Sequence, residues 1–177
     1  MRISIIGMPG SGKTTLAKKL SEKLSIPHIH NDRFWLEAGG LAVTHRQATE
    51  DFADAVRKTF RTYVLDAHEK NSWVSDGFAS LVPEIYEYAD VVLYLKLPLW
   101  LRLWNHTKRI VHPKDRHPEL TWWHELSFFY QIIRREFVAK PRLEKFVADN
   151  KELVVTLHSW IEARRYCAEH LSSTIEI

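Results

Sequence analysis

The sequence predicts a three-layer α/β fold, a central parallel sheet of five strands with helices on both faces. Three observations lead there. Strand-like apolar runs alternate with helix-period stretches along the chain, which calls for parallel strands joined by right-handed crossovers. Val91-Val92-Leu93-Tyr94-Leu95 is apolar and β-branched throughout, as a strand buried on both faces must be. A glycine-rich turn stands between the first strand and the first helix.

Taken in order, Arg2 to Gly7 reads as a buried strand, and Leu16, Leu20 and Leu24 recur at four-residue spacing on the helix after the turn. Pro27-His28-Ile29-His30 makes a short second strand, cut off by Asn31-Asp32. Thr44-x-x-Gln47 is a capping-box signature for a helix through about Lys58, striped by Phe52, Ala55, Val56 and Phe60. Trp73-Val74-Ser75 is a third strand running into Asp76-Gly77, and Ser80 caps a helix ending near Tyr88. After the Val91–Leu95 strand come helices from about Leu99 to Val111, Leu120 to Phe137 and Arg142 to Ala148. Leu153 to Thr156 is the last strand, and Ser159-x-x-Glu162 is a second capping box opening the C-terminal helix.

The bulk properties fit one domain over residues 1–177. A hydrophobic share of 45% in 177 residues is enough for an independent core. Val91 to Trp104 is the most apolar later stretch, but Lys96, Pro98 and Arg102 interrupt it and it is shorter than the roughly 20 residues of a membrane span. With no secretory pattern at the start and a single cysteine, Cys167, the expected setting is cytoplasmic. A net charge of +3 suits phosphate-bearing ligands, yet it is too small and too evenly spread to argue for nucleic acid.

Gly7-Met8-Pro9-Gly10-Ser11-Gly12-Lys13-Thr14 matches G-x-x-x-x-G-K-[ST] in the strand–turn–helix context that the motif requires. Glycines let such a loop curl so that successive N–H groups face phosphate oxygens, and the helix start adds partial positive charge. Gly7, Pro9, Gly10, Ser11, Gly12, Lys13, Thr14 and Thr15 are therefore the expected ATP-binding residues, Lys13 at the β- and γ-phosphates and the Thr14 hydroxyl on Mg2+. No Asn-Lys-x-Asp guanine-reading motif is present, since Asn150-Lys151-Glu152 runs into Leu153. That disfavours a GTPase switch.

On these residues the chain resembles the small-kinase branch of P-loop proteins that includes adenylate, shikimate and gluconate kinases. A nearer likeness is to the adenylate-kinase-related family labelled "DNA topology modulation protein". It is carried by the P-loop, His30-Asn31-Asp32 with Phe34-Trp35, Trp73 to Phe78, Ala89-Asp90, Leu97-Pro98-Leu99-Trp100 and the arginines beyond, over about residues 1–160. The resemblance implies a P-loop NTPase fold with an acceptor-side helical region at about 31–70 and a lid and aromatic helical region at about 99–138.

It also implies roles. Asp32, at the carboxyl edge of the sheet, is either a base or orienter for the acceptor or a helix cap. Asp76 would hold a magnesium-bound water, although Ala79 and Ser80 replace the Pro-Arg that follows Asp-Gly-Phe in nucleoside monophosphate kinases. Arg102, Lys108, Arg109 and Arg116 fall where related kinases carry lid cations; Arg109 and Arg116 are the best candidates for phosphoryl-charge stabilisation, Arg109 also for stacking on adenine. Each is equally readable as a surface charge. Arg33, Trp35, Gly77 and Phe78 complete the acceptor side, with Arg134 and Arg135 closing from the other.

Two further patterns have structural readings. His28 and His30 share one strand face, without acids or cysteines at zinc-ligand spacing. Trp100, Leu103 and Trp104 share a helical face, as do Trp122, Leu126, Phe129, Tyr130 and Ile133, which suits core or dimer packing. The expectation is a kinase using ATP and Mg2+ on a small-molecule acceptor, monomer or homodimer. The rival is a nucleotide-gated or DNA-associated P-loop protein with weak ATPase activity.

Overall fold

A computed structural model describes residues 1–31, 54, 58, 62, 71–77, 84–111 and 122–171. Among these the elements run β1 (Arg2–Gly7), α1 (Lys13–Leu24), β2 (His28–His30), β3 (Trp73–Asp76), α2 (Glu84–Tyr88), β4 (Val91–Leu95), α3 (Leu99–Val111), α4 (Trp122–Val138), α5 (Lys140–Asp149), β5 (Val154–Leu157) and α6 (Trp160–Tyr166). A single π-helical turn, Cys167–Leu171, follows α6. The five strands form one sheet in the order β2-β3-β1-β4-β5, a three-layer α/β architecture with flanking helices.

The sheet is parallel, as the alternating pattern requires. Its register is set at β3, whose Trp73, Val74, Ser75 and Asp76 lie opposite Arg2, Ile3, Ser4 and Ile5 of β1. On its other edge β3 pairs Val74, Ser75 and Asp76 with His28, Ile29 and His30. The chain divides into two compact units, Met1–Ile6 with Thr14–Leu93, and Gly7–Lys13 with Tyr94–Ile177.

In the first unit Ile3, Ile5, Ile29, Trp73, Val74, Val92 and Leu93 are almost wholly buried, joined by Leu16, Ala17 and Leu20 of α1. Leu24 ends α1, because Ser25 turns left-handed (φ 53°) and Ile26 N–H returns to the Ser21 carbonyl at 3.1 Å. β2 begins one residue later than the apolar run, at His28, since Pro27 has no N–H; its carbonyl still accepts from Val74 N–H at 2.9 Å. Asp90 accepts from the Arg2 backbone (2.7 Å) and guanidinium (2.6 Å) and donates its own N–H to the Arg2 carbonyl (2.8 Å). Ala89-Asp90 is thus a clamp on the start of β1. Burial pushes the Asp90 carboxyl up, but the Arg2 bonds outweigh it and hold it below its ordinary value.

In the second unit Tyr94, Leu95, Leu97, Ile132, Leu143, Leu157 and Ala163 are buried. α3 begins just after Pro98 and has the bounds its sequence pattern indicates. α5 starts two residues before the expected Arg142, because Pro141 is tolerated in a first helical turn. β5 is displaced one residue, to Val154–Leu157: Leu153 N–H is taken by the Asn150 carbonyl, while Leu157 C=O accepts from Lys96 N–H at 2.9 Å. Trp100 and Trp104 of α3 do not enter the core, being 68% and 53% exposed.

The Ser159 capping box forms, with Ser159 Oγ accepting from Glu162 N–H at 3.1 Å. The reciprocal bond runs to His158 N–H, 2.7 Å from Glu162 Oε2, one residue before the cap. The corresponding box at Thr44 lies outside the described residues. Among the described residues no helix is long and apolar enough to cross a membrane. Ser159→Ala should cost about 1 kcal/mol of stability in a urea melt, and an unchanged midpoint would show that the cap does not anchor α6.

Candidate functional site

The loop that follows β1 belongs, through Lys13, to the second unit. Its conformation is one that side chains resist. Gly10 and Gly12 have φ of 80° and 85°, the left-handed region that glycine tolerates. Crowding adds to this: a Cβ on Gly10 would lie 2.7 Å from the Arg102 carbonyl oxygen, and one on Gly12 would lie 2.2 Å from Trp160 Cζ2. Gly10 and Gly12 are therefore required both by dihedral and by the α3 and α6 residues against them.

Three successive carbonyls of the loop have donors. Met8 C=O accepts from Ser11 N–H and from Lys13 Nζ, both at 3.2 Å. Pro9 C=O faces Arg102 Nη1 at 3.4 Å, and Gly10 C=O accepts from Asn105 Nδ2 at 3.0 Å. Ser11 Oγ is buried and has no partner among the described residues. A polar atom left open at this point, in a loop whose carbonyls are otherwise engaged, fits an oxyanion ligand.

Arg102 is not a lid cation. It is 1% exposed and ion-paired to Glu136 of α4, which also accepts from Lys140. Burial pushes the Glu136 carboxyl up, but the hydrogen bonds from Lys140 and Arg102 prevail and lower it. Lys108 lies over the Trp104 ring, 5.5 Å from its centroid. Arg109 falls within α3, Arg134 is exposed and Arg135 half-buried on α4. The Arg109 side chain, and the whole of Asp32, Arg33, Trp35, Phe78 and Arg116, lie outside the described residues.

Thr14, the next residue along, begins the long stretch of the first unit. Its hydroxyl donates to Asp76 Oδ2 at 2.5 Å. Asp76, at the end of β3 and only 1% exposed, also receives His28 Nε2–H and His30 Nδ1–H, each 2.9 Å from Oδ1. Because a carboxylate only accepts, these contacts fix both imidazole tautomers at the bonded nitrogen. Burial alone would raise the Asp76 pKa, but the donors His28, His30 and Thr14 hold it well below the usual carboxylate range.

The oxygen donors of this pair are chemically suited to a cation. Thr14 keeps its oxygen lone pairs while giving its proton to Asp76, and Oδ2 can accept one more donor, such as a metal-bound water. Among the described residues no group of three or more His, Cys, Asp or Glu side chains is placed to hold an ion. Gly77, at φ 107°, closes the strand end, its N–H on the Ile5 carbonyl and its C=O on Asn31 Nδ2, each at 3.0 Å.

Sequence reasoning missed the two histidines as partners of Asp76 and missed Arg102 and Asn105 as partners of the loop. A His-x-His strand next to a strand ending in Asp was a usable signal for the first. For the second, the i, i+3 spacing places Arg102 and Asn105 on one helix face, but nothing local says what that face meets.

A parallel sheet whose β1 runs into this loop and helix defines a P-loop nucleotide-binding fold. A family model described as "AAA domain" matches residues 3–109, and the chain belongs to that family. It is similar to an adenylate kinase of Ruminiclostridium cellulolyticum, 35% identical over 52% of this chain and 47% of that one. It is also similar to a cytidylate kinase of Sulfurisphaera tokodaii, 31% identical over 62% of each. The matched region thus spans roughly half the length of such curated relatives. A shikimate kinase from Acinetobacter baumannii, solved in complex with shikimate, shares the fold with a TM-score of 0.53 at 18% identity over 99% of this chain and 96% of that one. The chain is thus similar over part of its length to adenylate and cytidylate kinases, and it shares a fold with shikimate kinase.

Two outcomes follow. Gly12→Ala should lose about 1–3 kcal/mol in a urea melt, and adding Trp160→Ala should recover only the steric part, because the left-handed dihedral remains. The Asp76 carboxyl is held below its unfolded value of 3.8, so its contribution is complete above that pH and is lost as pH falls through the lowered value. Asp76→Asn should flatten the acid dependence of stability between about pH 5 and about pH 2; an unchanged slope would contradict the assignment.

Proposed function

We propose that the protein is a phosphotransferase that moves the γ-phosphoryl group of ATP·Mg to a small acceptor bearing a hydroxyl or phosphate. The observation that carries this reading is the Thr14 hydroxyl donating to a buried, ionised Asp76 at 2.5 Å directly after the G-x-x-x-x-G-K sequence. A simple glycine-rich turn has no use for that pair. The match to adenylate and cytidylate kinases supports a kinase rather than a switch.

In this proposal the loop amides and the ammonium of Lys13 bind the β- and γ-phosphates. Thr14 and Asp76 would hold magnesium, which when bound would spread the negative charge of the triphosphate. His28 and His30 keep Asp76 ionised and fixed in rotamer. Asp32 orients the acceptor, flanked by Arg33, Trp35, Gly77 and Phe78, and Arg109 and Arg116 stabilise charge on the group in transfer, with Arg134 and Arg135 as further phosphate contacts. The protein would work in the cytoplasm. The closer likeness to the family labelled "DNA topology modulation protein" rests on the sequence segments alone, and the two relatives named above are kinases.

The test is ADP release in a coupled assay with nucleosides, nucleotides and small hydroxy acids as acceptors, and a control without acceptor. Lys13→Ala should lower ATP-dependent turnover by on the order of a hundredfold or more. Turnover unaffected by that change removes the catalytic assignment, and ADP release that no acceptor stimulates favours an ATPase instead. Thr14→Val should raise the magnesium concentration needed for half-maximal rate by roughly tenfold and also lower stability measurably, since the buried Asp76 loses one of its donors.

A further inference from the structure

A loop that presents amides to an anion must turn its carbonyls the other way, and every carbonyl turned into the protein needs a donor there. Here the donors at Pro9 and Gly10 are side chains of α3, Arg102 and Asn105. They sit one helical turn apart, and the α3 backbone is close enough that a Cβ on Gly10 would meet the Arg102 carbonyl oxygen at 2.7 Å. Arg102 is in turn held by Glu136, which Lys140 also engages. A buried arginine with a fixed counter-charge cannot swing out to serve as a mobile phosphate ligand without leaving Glu136 behind.

We propose that Arg102 and Asn105 are positioning residues for triphosphate binding: α3 holds the phosphate loop from its carbonyl side, and Asn105 is the member that sets the orientation of the Gly10–Ser11 peptide. This rests on the nucleotide-binding reading above and deepens it. The two contacts differ in kind. Asn105 Nδ2 makes a well-formed 3.0 Å bond to the loop, whereas Arg102 Nη1 stands at 3.4 Å from Pro9 C=O and gives its better bond to Glu136. Turning the Gly10–Ser11 peptide over would break the Ser11 N–H bond to the Met8 carbonyl (3.2 Å) and bring that N–H to the amide of Asn105, with the Gly10 carbonyl turned away. Donation from Asn105 opposes this from the carbonyl side.

Isosteric changes at Asn105 separate this from packing. Asn105→Leu keeps the branched outline and removes the donor; Asn105→Asp keeps the shape and offers only an acceptor to the Gly10 carbonyl. ATP·Mg affinity is measured by calorimetry for both, for the unaltered protein and for Lys13→Ala, alongside thermal melts and the backbone amide resonances of Gly10, Ser11 and Gly12. The expected result is affinity about tenfold weaker for Asn105→Leu and weaker again for Asn105→Asp, with the loop resonances displaced in the ligand-free protein. Affinity equal to that of the unaltered protein in both variants, with the loop resonances in place, overturns the proposal. So does a loss confined to melting temperature, which marks Asn105 as a packing residue. If the unaltered protein binds no ATP, the nucleotide reading itself fails and takes this inference with it.

Discussion

The loop after β1 depends on one backbone constraint: the chain has to pass through left-handed dihedrals at Gly10 and Gly12. Glycine makes the curl possible, and the surroundings make it obligatory. With φ of 80° at Gly10 and 85° at Gly12, and with Arg102 and Trp160 where their Cβ atoms would be, the loop has little freedom to adopt another path. Strain of this kind persists only where neighbouring contacts over-determine it. Here those neighbours are an α3 backbone, an amide, a guanidinium and an indole.

The loop's far end is held differently, by charge. Asp76 is nearly inaccessible, yet three donors, one of them Thr14, keep it ionised. A buried carboxylate without them would protonate, and a protonated acid attracts neither a cation nor its water. The two imidazoles serve the site by what they do to this acid. His-x-His on β2 thus places both rings against the Asp76 carboxylate. Its spacing delivers two N–H groups to one oxygen.

How much of this was legible depended on the sequence distance each feature spans. The P-loop is a run of eight residues and could be read outright, as could β4, a β-branched run, and α3, which starts just after Pro98. The Ser159 cap was readable because both partners lie within four residues. By contrast, His28 and His30 meet Asp76 only because β2 lies beside β3, and strand order is not written in local pattern. Arg102 shows the same limit more sharply. Among four cations in one stretch it looked like the others, and what sets it apart is Glu136, 34 residues further on, and Pro9, 93 residues back.

The exposed Trp100 and Trp104 make a similar point, since a helix-period apolar stripe states that a face is apolar without stating that it is covered. The central claim, that this loop is a polyphosphate cradle, is tested most directly by determining the structure with magnesium and a non-hydrolysable ATP analogue. The account predicts phosphate oxygens within hydrogen-bonding distance of the amides between Gly10 and Thr14 and of Lys13 Nζ, with the Gly10 carbonyl still on Asn105. A nucleotide seated elsewhere, or a loop that turns its carbonyls toward the ligand, would contradict it.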